Sequence, residues 1–287
     1  MTGGRGGARA GRLPGLLVLP GSLLLLPAVS ACGGGMPLLH PARTLPAGEV
    51  RASAGFSGNI AAGGFSSAVH DAEAELTANP SAPGPPGTDE TYARGALVVA
   101  SIAPGLAPLV GARVGVGSQV EGGLGYTGRA VRADLRRSFD LSTHWALSLG
   151  AGGSAALYGH QDGSQLQNVD IGQLHGWGAD VPVLVGYESD GDLYMLWMGA
   201  RGGWEHVDIS EVRSEPKDVT FGTPPIALSA TRFWGGGLLG FAVGFRHVHV
   251  AMELDVSYAT ISGDYNQTHT TVSGLTLAPA TALWWRF

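Results

Sequence analysis

From Glu49 onward, apolar and polar residues alternate in block after block, which is the period of a β-strand whose two faces meet different surroundings. The clearest block runs from Val248 to Tyr258, where every even-numbered residue is apolar and where Glu253 and Asp255 fall on the other face. A register shift of one residue would move both carboxylates to the apolar face, so the pairing of this strand is strongly specified. The pattern predicts an antiparallel sheet with one apolar face and one face that carries the ionisable groups.

Several segments show this alternation, and turn-forming residues separate them. The predicted strands are Val50–Ala61, Tyr92–Ile102, Leu109–Thr127, Arg129–Phe139, His144–Tyr158, Trp177–Glu188, Leu193–Asp208, Leu228–Arg246, His249–Ile261 and Thr270–Phe287. A further turn at Ser118–Val120 would preserve the alternation as well, so the expected count is about ten, within roughly 8 to 12. The segment from Ser67 to Asn79 favours a short helix within a loop.

The connections between these strands differ in length. Short turns are expected at Gly128–Arg129, at Ser189–Asp192 and at His247–Val248. The longer polar segments, expected to be loops, are Gly63–Thr91, Gly159–Gly176, Ser210–Ala227 and Ser262–His269. Short turns at one end and long loops at the other are typical of closed barrels that cross a membrane. The predicted fold class is therefore all-β, a transmembrane antiparallel up-and-down β-barrel.

Two other folds also alternate in this way, a soluble β-sandwich and a lipocalin-like barrel. Aromatic residues lie near the predicted strand ends, and they are Tyr126, Trp145, Tyr187, Trp204, Phe233 and Trp285. Such girdles are typical of a bilayer interface and are not required in a sandwich. A lipocalin-like barrel is apolar inside, whereas here the charges share a face with the glycines, opposite the large aliphatic side chains. Both observations favour the membrane barrel.

The composition fits a β-rich or membrane class. The chain has 47 glycines among 287 residues, too many for a helical protein, and its hydrophobic fraction of 44% is too high for a disordered one. It contains no apolar stretch of the length, about eighteen residues, that a transmembrane helix needs. The formal net charge is −6 and the basic residues are scattered singly, so nucleic-acid binding is not expected.

The first residues have the pattern of an export signal. Arg5, Arg9 and Arg12 precede an apolar core from Leu16 to Leu26, which is too short to span a bilayer as a helix. Small residues then lead directly to Cys32, the only cysteine of the chain. This junction resembles the lipobox of bacterial lipoproteins, in which the cysteine becomes the mature N-terminus and carries acyl chains. The resemblance implies lipid attachment at Cys32, including palmitate, and sorting to the outer membrane of a Gram-negative cell.

The resemblance divides the chain into three parts. Residues 1–31 are the predicted lipoprotein signal peptide, residues 32–48 a lipidated flexible tether rich in Gly and Pro, and residues 49–287 the barrel. The chain stops at Phe287 after a segment of alternating apolar residues, which resembles the terminal strand that the bacterial barrel-assembly machinery recognises. Expected partners are outer-membrane lipid, that machinery and the lipoprotein-export machinery.

The interior of the predicted barrel would hold charges of both signs. The lumen-facing charges are expected to be Arg113, Glu121, Arg132, Asp134, Arg136, Asp180, Glu188, Arg201, Glu205, Arg232, Arg246, Glu253 and Asp255. A barrel of this size is close to the width that side chains fill, and an unpaired charge removed from water costs several kcal/mol. Opposite charges should therefore pair across the lumen, with Trp197 and Trp284 narrowing it further. A packed polar core is favoured over a selective pore.

No residue spacing identifies chemistry. Histidines and serines are numerous, but none has the spacing of a known catalytic or zinc motif, so no catalytic, cofactor or metal site is expected. The leading hypothesis is an outer-membrane barrel lipoprotein of structural or transport-related role, which is not an enzyme. A narrow diffusion channel and a lipid-modifying barrel enzyme stay open as alternatives.

Overall fold

A computed structural model describes residues 36–78, 90–156, 166, 174–212 and 226–287. In these ranges ten antiparallel strands close into one barrel, each paired with its neighbours in the chain and the first paired with the last. The strands are β1 Val50–Ala62, β2 Gly105–Gly117, β3 Val120–Tyr126, β4 Ala130–Asp140, β5 Trp145–Ala156, β6 Leu174–Glu188, β7 Tyr194–Val212, β8 Ile226–Phe245, β9 Val248–Tyr265 and β10 Thr268–Arg286. The predicted up-and-down barrel is confirmed.

The outer wall of the barrel is the apolar face of the alternating pattern. On β9 the even-numbered residues from Val248 to Tyr258 are each between 38% and 56% exposed. The residues between them are buried, with Ala251 at 0% and Glu253 at 4%. An exposed apolar wall of this extent around a closed sheet needs an apolar solvent, and a lipid bilayer supplies it.

Two helices lie between β1 and β2, namely α1 Gly64–Ala78 and α2 Glu90–Ile102. The loop helix expected from Ser67 is confirmed in α1, but the strand expected from Tyr92 to Ile102 is wrong. A short, mostly apolar segment fits a buried helix as well as a buried strand, and here the alanines and the burial of nearly every residue of α2 favour the helix. Neither described helix is long and apolar enough to cross a membrane.

The expected single strand Leu109–Thr127 is also wrong, because it is split into β2 and β3. Ser118 and Gln119 form the turn, and both have a positive φ, 51° and 59°. Two consecutive positive φ values are typical of the type I′ turn that joins strands in a tight hairpin. The strand count of ten is thus reached with one helix misread as a strand and one hairpin misread as a single strand.

The segment Ser262–His269 was expected to be a long loop, and it is a tight hairpin instead. Strand β9 continues to Tyr265, β10 begins at Thr268, and Asn266 takes a positive φ of 53° in the two-residue turn between them. Its residues are polar because the hairpin rises beyond the apolar belt, so polarity there marks a change of surroundings and not the end of the sheet.

Residues 36–48 do not form a flexible tether. They run inside the barrel, where Leu38, Leu39, Ala42 and Leu45 are buried. The chain leaves the lumen at Gly48, whose N–H donates to the Gly115 carbonyl at 2.8 Å, just before β1 begins. Segment 36–48 is called the lumen segment below.

Candidate functional site

A ladder of arginines and carboxylates fills the middle of the lumen. Asp180 is its centre: Arg132 donates to both Asp180 oxygens, through Nε and Nη2 at 2.9 Å each, and Arg201 Nε donates to Oδ2 at 2.9 Å. Asp134 links Arg132 to Arg113, and Arg113 continues the ladder to Glu121. All of these side chains are at most 11% exposed. The paired charges have the geometry in which buried ions satisfy each other.

The lumen segment is bound by charged side chains of the wall at two places. Arg136 donates to Glu121 and to the carbonyls of Pro41 and Ala42. Just before these residues, Glu253 accepts the N–H groups of Leu38 at 2.7 Å and Leu39 at 2.9 Å. Each carboxylate or guanidinium therefore meets both the wall and the lumen segment, which ties this part of the chain into the barrel.

The other expected lumen charges are placed as follows. Arg232 and Glu205 form a pair at 3.2 Å nearer the loop end, and Asp255 lies 4.0 Å from Arg201. Glu188 meets Arg43 of the lumen segment at 3.6 Å, near the end where both termini of the sheet lie. Arg246 does not face the lumen: it lies exposed in the turn between β8 and β9 with its guanidinium over the Phe245 ring. Arg246 was predicted to face the lumen because β8 was expected to continue to it, whereas β8 ends at Phe245.

The predicted lipid-attachment residue Cys32 lies outside the described residues.

Trp197 and Trp284 narrow the lumen as expected. Their rings stack with centroids 5.8 Å apart, and both side chains are buried. The Trp197 indole N–H donates to Glu253 at 2.8 Å, so its polar atom is satisfied. Gly240 makes the position possible, because a Cβ there would lie 2.2 Å from the Trp197 ring. The glycines on the inner face thus give the flat side chains room to lie against the wall.

Helix α2 closes the lumen at the loop end. Its last turn is held by three donors of the wall: Asn59 to the Ile102 carbonyl at 2.6 Å, Arg129 to Ala100 at 2.7 Å and Arg232 to Ser101 at 3.3 Å. These bonds satisfy carbonyls that a helix C-terminus leaves unpaired. On the loop side of these bonds, α1, α2 and the barrel wall share one apolar cluster, so the helices are packed into the barrel and do not lie on it.

Above the apolar belt, the outer wall of β8, β9 and β10 carries a polar band. On β9 the outward positions change from Tyr258 to Thr260, Ser262 and Asp264, and on β10 from Leu275 to the outward residues Ser273, Thr271 and His269. Sequence reasoning missed this site, since it expected a loop there. The signal was present: Ser262 and Asp264 keep the period of two of the strand before them, and His269 keeps the parity of the strand after them.

Within the described ranges, no group of three or more His, Cys, Asp or Glu residues is arranged to hold a metal ion.

No protein-family model matches the sequence, and no curated protein matches it either. Among solved structures, the outer-membrane protease OmpT from Escherichia coli is similar over 83% of this chain and 97% of its own, at 8% identity and a TM-score of 0.40. Neisserial surface protein A covers 83% and 96%, at 10% identity and a TM-score of 0.27. A major outer-membrane protein from Thermus thermophilus covers 83% and 99%, at 11% identity and a TM-score of 0.28.

Proposed function

We propose that this protein is a closed barrel of the bacterial outer membrane with a structural role, and not a diffusion channel. The apolar belt of the outer wall supports the membrane location, and short turns at the end where the sheet begins and ends support placing that end in the periplasm. The longer connections, including α1 and α2, would then face the cell exterior. Outer-membrane lipid and the barrel-assembly machinery are the proposed partners.

The observation that carries the closed state is what fills the lumen. The lumen segment occupies the end where β1 begins, the charge ladder crosses the middle, and α2 occupies the other end. A hydrated diffusion pathway would have to displace buried ion pairs, and breaking such a pair costs about 3–5 kcal/mol. A channel built for diffusion has a polar lumen that water already fills.

The purified full chain, reconstituted in planar lipid bilayers, should show no stepwise conductance, because each of the three obstacles blocks the passage of ions. A porin reconstituted in the same lipid serves as the positive control, and gel migration that changes on heating shows that the barrel is folded. Reproducible single-channel steps from the folded full chain would overturn the closed state and favour the narrow channel.

We further propose that Cys32 is acylated, with the lipoprotein-export machinery as a partner. Met36 lies in the lumen, where its carbonyl accepts from Arg201, and the four residues back to Cys32 span at most about 14 Å. The small residues that lead from the apolar core of the leader directly to Cys32 support this assignment.

Cells that express the full chain and are fed labelled palmitate should yield a labelled protein, and Cys32→Ala should abolish the label while the barrel stays heat-modifiable. The label tests the lipobox alone, since Cys32 precedes every strand of the barrel in the sequence. An unlabelled wild-type chain of mature size would show that the leader is removed at another kind of site.

A further inference from the structure

Three side chains of the polar band are joined in a relay on the outer wall. The Ser262 hydroxyl lies 3.4 Å from His269 Nε2, and His269 Nδ1 lies 2.8 Å from Asp264 Oδ1. Asp264 and His269 are directly opposite each other in the β9–β10 register, and Ser262 is opposite Thr271. The backbone ladder of the hairpin therefore fixes the relay, which does not depend on a loop.

The ring nitrogens are in the order that nucleophilic catalysis requires. An ionised Asp264 accepts the Nδ1–H of His269, which leaves Nε2 as the acceptor for the Ser262 hydroxyl proton. A serine, a histidine base and a carboxylate that holds the base in this tautomer form the constellation of serine hydrolases on unrelated folds. We propose that Ser262, His269 and Asp264 form a hydrolase triad that cleaves acyl esters of lipids in the leaflet beside it.

The position of the triad relative to the apolar belt selects the substrate. The exposed aromatic Phe233 of β8, opposite Thr260 in the register, marks the upper edge of the apolar belt, and Ser262 lies two residues beyond Thr260, about 7 Å along the strand and about 5 Å along the membrane normal at the usual tilt. That height corresponds to the polar interface of a bilayer, about 5–7 Å thick beyond the hydrocarbon. A lipid whose chains lie against Tyr258 and Leu275 would bring its ester groups towards Ser262.

The proposed ester hydrolysis needs only the triad, the lipid and water, and no cofactor. Ser262 Oγ attacks the ester carbonyl carbon while His269 Nε2 takes its proton, and collapse of the tetrahedral intermediate expels the lipid alcohol, which receives that proton. Water, deprotonated by His269, then attacks the acyl-Ser262 ester, which releases a fatty acid and restores the serine. The Thr271 hydroxyl, 3.0 Å from Ser262 Oγ, is placed to donate to the oxyanion.

The neighbouring strands offer a matched control. His206 on β7 also has an acidic partner, Asp208 at 2.9 Å, but its other nitrogen meets Thr231 at 3.0 Å and no serine. The two His–Asp pairs share the same exposed wall. A general effect of losing a histidine from the polar band would therefore appear in both His206→Ala and His269→Ala, whereas the triad requires only His269.

The test uses the folded full chain in two vesicle preparations, one of glycerophospholipid and one that also contains an acylated saccharide lipid. Fatty-acid release from either is expected, and the preparation that is cleaved identifies the source of the ester. Ser262→Ala and His269→Ala should each lower the rate at least about 100-fold, and His206→Ala should leave it within about twofold. Asp264→Asn, which acts by positioning His269, should lower kcat and leave KM unchanged.

A fluorophosphonate probe, whose phosphorus is attacked by an activated serine with loss of fluoride, gives a second readout. It should label the wild-type and His206→Ala chains and should not label Ser262→Ala. Absence of fatty-acid release from both vesicle preparations, or release that survives in Ser262→Ala, would overturn the proposal and leave the band as a polar rim only. Planar-bilayer conductance is independent of these outcomes, so failure of the triad and failure of the closed barrel are distinguishable.

Discussion

Asp180→Asn is expected to lower the free energy of unfolding by about 3–5 kcal/mol, because it removes the one anion that two buried arginines share. Arg132 and Arg201 both donate to Asp180, and both side chains are at most 7% exposed. Asparagine keeps the shape of the side chain but provides one acceptor oxygen and no charge, so Arg132 keeps only Asp134 as a counterion and Arg201 keeps only Asp255, at 4.0 Å. The loss should be among the largest that a single substitution produces in this barrel.

The measurement is unfolding by denaturant in lipid vesicles, followed by tryptophan fluorescence. Asp190→Asn is the matched control, since Asp190 lies in the turn before β7 with a side chain that is 96% exposed. That control should change stability by no more than about 0.5 kcal/mol. Equal stability of Asp180→Asn and the control would mean that the ladder is hydrated and that the lumen is open to water.

The parity of the strands could be predicted from the sequence, whereas what fills the barrel could not. The alternation of apolar and polar residues predicted which residues lie on each face of β9, because a register shift by one residue would turn Asp255 toward the lipid. It identified Arg132, Asp180 and Arg201 as inward residues for the same reason. Which arginine binds which carboxylate depends on the barrel closing in its final register, and no local pattern encodes that pairing.

The lumen segment and α2 show a second limit. A stretch rich in Gly and Pro without periodicity has the composition of a linker, and nothing local indicates that Glu253, more than two hundred residues away, accepts its N–H groups. The apolar run of α2 was read as a strand because a short buried segment satisfies both periods. In both cases tertiary contacts decide the conformation.

The site on the outer wall was missed for a related reason. Polarity from Ser262 to His269 was interpreted as a loop, although the outer face of a strand that leaves the hydrocarbon becomes polar without any change in the strand's conformation. The alternation of Ser262 and Asp264 with the buried Gly263 and Tyr265 follows the period of the strand below. Parity should therefore be followed beyond the apolar belt before a segment is assigned to a loop.

The central claim is that lipid wets the even-numbered face of β9, and arginine substitution at two depths tests it most directly. Met252 lies in the middle of the belt and Val248 at its edge, beside the turn between β8 and β9. Met252→Arg should lower the free energy of unfolding in lipid vesicles by about 2–4 kcal/mol, and Val248→Arg by about 0–1 kcal/mol. Equal costs at the two depths, or a chain that folds to the same strand content in water without lipid or detergent, would contradict the account.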